Sequence, residues 1–236
     1  MDSRTGQLQP CTNEFLAIVS HELRSPLASI YNAASCLADP LSESASRQKM
    51  QAVVERQVRR MTRLIDDLLD VSRITNGCMQ LRRERMDLRI AVRHAIETLD
   101  PDFNARTQHL STVMPEEPVW VHADPLRLEQ VFVNLLANAS RYTDTDGSIS
   151  ISVHTGEGQA IVRVRDSGIG IVPDALPHIF DLFKQAHETD PRSRAGLGVG
   201  LAVVRNLVQL HEGSVTASSA GAGQGTEFSV QLPRGD

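Results

Sequence analysis

Ser20-His21-Glu22-Leu23-Arg24-Ser25-Pro26-Leu27 places an imidazole, an adjacent carboxylate, a hydroxyl and a proline in one short run. Wound at 3.6 residues per turn, the surrounding sequence aligns Leu16, Val19, Leu23, Leu27, Ile30, Ala34 and Leu37 as one apolar stripe. His21 falls nearly opposite that stripe, with Ser25 one turn further along the same face. A histidine in a helical pattern is by default a bland surface or core residue. Here the stripe argues against burial, and Glu22 offers the imidazole a proton acceptor. Thr12 to Ala38 is therefore expected to be a helix bearing an exposed, reactive histidine, provided another part of the chain supplies an electrophile.

Pro26 lacks the N–H that would bond the carbonyl of Glu22, so a kink just after the histidine is expected. Asp39-Pro40-Leu41-Ser42 reads as a turn, with Ser42 or Ser44 capping a second helix that runs to about Ile74 and stops at Asn76-Gly77. Met50, Val54, Val58, Met61, Ile65 and Leu68 share one side of that helix, and Arg56, Arg59, Arg60 and Arg63 the other. The arginine side is either a solvated face or a dock for an acidic partner. One helical hairpin cannot cover two apolar stripes, whereas two hairpins paired as a four-helix bundle can, so a symmetric homodimer is expected. Residues 1–11 are then a tail and residues 12–76 a domain.

From about Met79 the hydrophobic period changes to short strands mixed with helices. Strands are expected at Leu81–Arg85, Gln108–Met114, Val119–His122, Ser148–His154, Ala160–Arg165, Ser214–Ser218 and Glu227–Leu232. Helices are expected from an Asp87 cap through Thr98, over Asp124–Ser140, near Leu176–Phe183 and over Leu197–Leu210. This order indicates an α+β two-layer sandwich over residues 79–236 rather than a βαβ chain. The 236 residues suffice for two domains, and a net charge of −5 argues against nucleic acid as a partner. Cys11, Cys36 and Cys78 are odd in number and form no CxxC pair, which fits a reducing cytosol better than a disulfide or zinc framework. The apolar runs fall short of the ~18 residues a membrane helix needs, and Met1–Gln7 contains no signal-peptide core, so this segment is expected to be cytoplasmic without membrane contact.

Three glycine-bearing motifs recur in the second half: Asp166-Ser167-Gly168-Ile169-Gly170-Ile171, Gly196-Leu197-Gly198-Val199-Gly200-Leu201, and Gly223-Gln224-Gly225-Thr226. Any one alone marks a turn. The middle one opens a helix, where backbone N–H groups and the helix dipole suit phosphate oxygens. It is not a P-loop, since no Lys-Ser or Lys-Thr follows. The first ends a strand, where a carboxylate suits a base amino group. Asn134 and Asn138 lie one turn apart on the Asp124–Ser140 helix, and amide oxygens suit Mg²⁺ already held by phosphates. The other seven histidines form no metal-ligand spacing, and Tyr31 and Trp120 are expected to pack.

Taken in order, these motifs make the whole chain resemble the catalytic core of a sensor histidine kinase. His21–Leu27 looks like its H box, Asp124–Thr143 the N box and Asp166–Ile171 the G1 box. Phe180–Phe183 looks like the F box, Arg194–Leu201 the G2 box and Gly223–Thr226 the G3 box. The resemblance implies a dimeric histidine-phosphotransfer domain followed by an ATP-binding domain of the Bergerat fold. By that comparison His21 accepts the γ-phosphoryl group with Glu22 as general base. Asn138 would coordinate Mg²⁺ with help from Asn134, Arg141 would neutralise phosphate charge, and Tyr142 would pack near adenine. Asp166 would bind the adenine amino group, with Gly168, Gly170 and Ile171 beside the base and Thr226 holding the adenine end. Gly196, Gly198, Val199, Gly200 and Leu201 would form the phosphate side, under a lid from about Pro173 to Ala195. The implied partner is the receiver domain of a response regulator, and Ile179–Gln185 looks most like hybrid kinases, which carry a receiver of their own.

The chain departs from the family pattern in a few places. Ser25 stands where threonine or asparagine is more common, which bears on phosphatase rather than kinase activity; Ala195 and Leu197 replace frequent glycine and threonine; and Glu212-Gly213 follows His211 where Gly-Gly is common. Two rivals use the same residues differently. ATP-hydrolysing relatives of the Hsp90, MutL and gyrase type place a glutamate near Asn134 as hydrolytic base, a task asparagine cannot perform. A non-catalytic scaffold would be expected to lack His21, Asn138 or Asp166, and all three are present.

Overall fold

The structure is a computed structural model that describes residues 9–37, 44–184 and 198–235. By contacts it separates into two compact units that divide in the chain at Ser72–Arg73. The first holds α1 (Gln9–Leu37) and nearly all of α2 (Ser44–Thr75). Helix α1 runs through Pro26, which is buried, and starts three residues before the expected Thr12. Ala33 of α1 and Leu64 and Val71 of α2 are buried, but Leu27, Tyr31, Val58, Ile65 and Leu69 stay 47–74% exposed. Tyr31, expected to pack, is the most open of these at 74%. Each helix of a hairpin can shield only one side of its neighbour, so the remaining apolar side chains face outward. Gly77, at φ +64, ends α2: its N–H bonds Ile74 O at 3.0 Å and Cys78 N bonds Arg73 O at 2.9 Å.

The second unit layers three helices on a sheet. Strands β2 (His109–Val113), β4 (Ser148–Gly156), β5 (Gln159–Asp166), β7 (Thr226–Pro233) and β6 (Ser214–Ser218) lie in the order β2-β4-β5-β7-β6. Only the β2–β4 pair is parallel. The β4–β5 hairpin turns through Glu157 and Gly158, both at positive φ (51° and 75°), as a two-residue turn matched to strand twist requires. A separate antiparallel pair joins β1 (Glu84–Asp87) to β3 (Trp120–Ala123), and the Arg85 guanidinium lies 4.1 Å from the centre of the Trp120 ring. Among the alternating inner residues of the sheet, Ile151, Val162 and Val230 are at most 1% exposed. They face α3 (Leu88–Ala105), α4 (Pro125–Tyr142) and α5 (Gly200–Leu210), which contribute Val92, Phe132 and Leu207, all fully buried. This is the expected two-layer α+β sandwich.

Several expected boundaries shift. The first strand sits at Glu84–Asp87 because pairing with β3 turns Met86 inward. Helix α3 outruns Thr98 and passes through Pro101 to Ala105, since Leu99 and Phe103 prolong its buried stripe. The helix expected near Leu176–Phe183 is a single 3₁₀ turn, Leu176–His178. Among the described residues no helix is long and apolar enough to cross a membrane.

Asp124 caps α4 by accepting from Arg127 N, as Asp87 caps α3 by accepting from Arg89 N. The Asp124 N–H in turn donates to Nε2 of His211 at 3.0 Å, while Nδ1 of that ring bonds Leu207 O at 2.7 Å. The carbonyl can only accept, so Nδ1 carries the proton and Nε2 must stay unprotonated. His211 is 4% exposed, and burial pushes its pKa down despite the Leu207 carbonyl, which favours the charged form. The unfolded chain therefore takes up a proton that the folded ring refuses, and stability is lost as pH falls below about 6.5. Thermal melts from pH 8 to 5 should show a steeper acid decline for the wild type than for His211→Gln, whose amide accepts and donates without titrating. Equal slopes would remove His211 from the acid response.

Candidate nucleotide site

Asp166 closes β5 directly opposite the first residue of β7, Thr226. Its carboxylate oxygen Oδ1 accepts from Gly168 N at 2.8 Å and Thr226 N at 3.3 Å; Oδ2 receives neither bond. The residue is 7% exposed, and burial pushes its carboxyl pKa up against the opposing pull of those two N–H groups. Oδ2 is thus open to a further N–H donor.

The turn after Asp166 is packed backbone on backbone. A Cβ on Gly168 would lie 2.3 Å from the Tyr142 carbonyl oxygen, which accepts from Ile169 N at 3.1 Å. Gly170, at φ +69, would bring a Cβ within 2.1 Å of Gly221 O. Gly225 N and Gly223 N donate to the carbonyls of Gly168 and Ile169. Ser219 Oγ accepts from Ile171 N at 3.0 Å and donates to Gly225 O at 2.7 Å. The first and third glycine motifs are therefore one structure, stitched by a serine that the sequence reading missed. Its only sequence signal is a small polar residue ahead of a glycine run.

Asn134, Asn138, Arg141 and Tyr142 lie on the second half of α4, all half-buried. Asn134 Nδ2 approaches Gly200 O at 3.5 Å, so α4 meets α5 at the first residue of the latter. The cap of α5, Val199, has no side-chain hydrogen bond to offer the first N–H groups of the helix. Gly198, at φ +65, accepts from Phe183 N at 3.0 Å, and Leu201 follows in the first turn. The expected phosphate side thus adjoins the amides; Gly196, Leu197 and the lid residues from 185 to 195 fall outside the described residues. Gln108 was also missed. Its buried amide donates to Ser140 O and Thr143 O and accepts from Ser140 Oγ, securing the end of α4. Its partners lie more than 30 residues away, so no local pattern announces it. Phe180 packs edge-on to Phe228 at 6.3 Å, and Asp181 is paired with His178 at 3.1 Å and Arg205 at 3.5 Å.

In the other unit, His21 and Glu22 are backbone positions of α1 whose side chains fall outside the described residues. Ser25 is exposed, and its carbonyl accepts from Ser29 Oγ at 3.2 Å.

Two family models match the sequence, one over the helical pair and one over the sandwich from the end of β3 onward. Residues 12–77 match the His Kinase A phospho-acceptor domain, and residues 123–236 match the histidine kinase-, DNA gyrase B- and HSP90-like ATPase. The chain belongs to the sensor histidine kinases. The sensor histidine kinase TrcS of Mycobacterium tuberculosis is 39% identical over 226 residues, covering 93% of this chain and 43% of TrcS. This histidine kinase core therefore spans less than half the length of that relative. Among solved structures, full-length ShkA in complex with AMPPNP is 27% identical with a TM-score of 0.67, over 94% of this chain and 46% of that one. The kinase ThkA in complex with the response regulator TrrA shares the fold at 20% identity, with a TM-score of 0.66 over 94% of this chain and 61% of that one.

The glycine contacts make the turns around Asp166 in this histidine kinase core intolerant of a single methyl group at Gly168, Gly170 or Gly225. Gly170→Ala adds a left-handed penalty of roughly 1–2 kcal/mol to the clash with Gly221 O. Urea unfolding should show at least that loss, whereas Gly158→Ala, with nothing within 4 Å, should show only the backbone penalty.

Proposed function

We propose that this core autophosphorylates His21 from Mg-ATP and passes the phosphoryl group to an aspartate of a response-regulator receiver. The observation that carries this reading is the amide of Asn134 beside the first residue of α5. Hydrolysing relatives of the fold need a carboxylate there to deprotonate water, and asparagine cannot take that proton. The γ-phosphoryl group is left to another nucleophile, and the His Kinase A match supplies one in the same chain.

In this reading Asp166 Oδ2 accepts a hydrogen bond from the exocyclic amino group of adenine. Gly168, Gly170 and Ile171 lie beside the base, and Thr226 closes its far side while fixing Oδ1. Tyr142 flanks the base, and Arg141 balances phosphate charge. The N–H groups opening α5, from Gly200 and Leu201, with Gly196, Gly198 and Val199 before them, cradle the phosphates. The donor set fits a divalent ion held mainly by the nucleotide: two neutral amide oxygens, and no cluster of acidic, histidine or cysteine ligands among the described residues. Asn138 with Asn134 would hold Mg²⁺, which withdraws charge from the transferring group when bound. An imidazole nitrogen of His21 forms the new P–N bond in line with the departing ADP, and Glu22 accepts the proton of the other ring nitrogen. Ser25, one turn on, would position a water that hydrolyses the partner's aspartyl phosphate in any phosphatase reaction, releasing inorganic phosphate.

The homodimer belongs to the same proposal, supported by the open apolar side chains of α1 and α2 and by the His Kinase A match. So do the domain limits, 12–76 for phosphotransfer and 79–236 for ATP binding, and a cytoplasmic place of action, supported by exposed free Cys36 and Cys78. The complex of ThkA with a response regulator supports a receiver as partner.

Incubation with γ-labelled ATP and Mg²⁺ should yield an acid-labile, alkali-stable protein label that His21→Gln abolishes; a label surviving that substitution rejects the assignment. Asn138→Ala should weaken Mg-ATP binding while leaving the oligomeric state unchanged. Asp166→Asn keeps an oxygen for Gly168 N and Thr226 N but turns an amino donor toward the base. Nucleotide affinity should fall roughly tenfold or more while the melting temperature holds, and an unchanged affinity would move the adenine elsewhere.

A further inference from the structure

Glu212 adopts φ +60, in the left-handed region that disfavours any residue with a Cβ. Glycine would adopt this φ without strain, so Glu212 keeps its carboxylate at a conformational disadvantage. The structure shows what the carboxylate does. Oε1 of Glu212 takes Nη1 of Arg83 at 2.7 Å, and Nη2 of the same guanidinium donates to the Leu210 carbonyl. That carbonyl belongs to the last turn of α5, where a cation is also favoured by the helix dipole.

Arg83 is the last residue of the connector between α2, which ends at Thr75, and β1, which begins at Glu84. Its neighbour Arg82 donates its N–H to Oδ2 of Asp124 at 2.9 Å, and Asp124 N in turn donates to His211, the residue before Glu212. Two consecutive connector residues are thus fastened to two helices at once: Arg82 to the cap of α4, Arg83 to the end of α5. These are the helices whose other halves meet at Asn134 and Gly200.

We propose that Arg83 and Glu212 form a latch that holds the connector against the far end of the nucleotide-binding helices and so shortens the tether between the ATP domain and the histidine helix. The inference rests on the kinase reading above. For a linker longer than the span it bridges, shortening raises the effective concentration of bound ATP at the acceptor histidine without touching the nucleotide site. The pair has side-chain exposures of 30% and 71%, so salt should weaken it.

The test compares wild type, Arg83→Ala, Glu212→Gly and the double variant in the whole chain, by two readouts. Hydrogen exchange at the Arg82 amide should accelerate in each variant, with the double variant no faster than the faster single one, because one device has been broken. High salt should speed that exchange in the wild type and change the variants little. Autophosphorylation kcat should fall about twofold or more in each variant, with ATP affinity unchanged. Glu212→Gly should do this without lowering the melting temperature, since the left-handed strain leaves with the side chain. That separates loss of the latch from loss of fold. Arg82 exchange unaffected in both single variants, or additive effects in the double variant, would overturn the latch. Accelerated exchange with an unchanged kcat would overturn its role in tethering. A wild type that takes no label from ATP would refute the kinase reading instead, and the exchange data would still decide the latch.

Discussion

The ATPase half depends on one buried oxygen. Oδ1 of Asp166 receives the N–H groups of Gly168 and Thr226, so a single carboxylate joins the end of β5 to the turn after it and to the start of β7. The glycines around it follow from that closeness. Gly225 would set a Cβ 2.0 Å from the Asp166 carbonyl oxygen, and Gly168 would meet Tyr142. Backbone fills the space that side chains would occupy elsewhere, and Oδ2 is left to whatever enters the site. In the proposed reading, structural and ligand-binding duties would be divided between the two oxygens of one side chain.

The two halves solve burial differently. The sandwich closes its own core: Phe132, Leu135 and Val162 are fully buried within one chain. The helical pair does not, and Leu27, Ile65 and Leu69 remain half open. Self-sufficiency in one half and apolar surplus in the other agree with the homodimer proposed above, in which the helices and not the sandwich would pair.

The sequence made the helix periods, the caps at Asp87 and Asp124 and the β4–β5 alternation readable because each is a local physical signal. The candidate nucleotide residues could be singled out because their types occur together: Asp166 before paired glycines, and two asparagines one turn apart. Gln108 and Ser219 were not. An amide that secures α4 from 32 residues away and a hydroxyl that stitches two glycine turns depend on contacts created only by the fold. Boundaries erred where tertiary pairing set them, as when β3 drew β1 two or three residues later than its own pattern suggested. Tyr31 erred differently, since packing was assumed where a single hairpin provides no cover.

The strand order has a consequence for how the chain assembles in time. β4 and β5 pair across a two-residue turn, so their contacts form at little entropic loss. Asp166 and Thr226 are 60 positions apart in sequence, and their pairing must wait for a long loop to close. The β4–β5 hairpin can therefore order early, whereas the Asp166–Thr226 end of the candidate site, which needs β7 in place, is completed late. Until then the Asp166 carboxylate lacks the Thr226 amide, and a newly made chain can have most of its sheet before it has anywhere to hold a nucleotide.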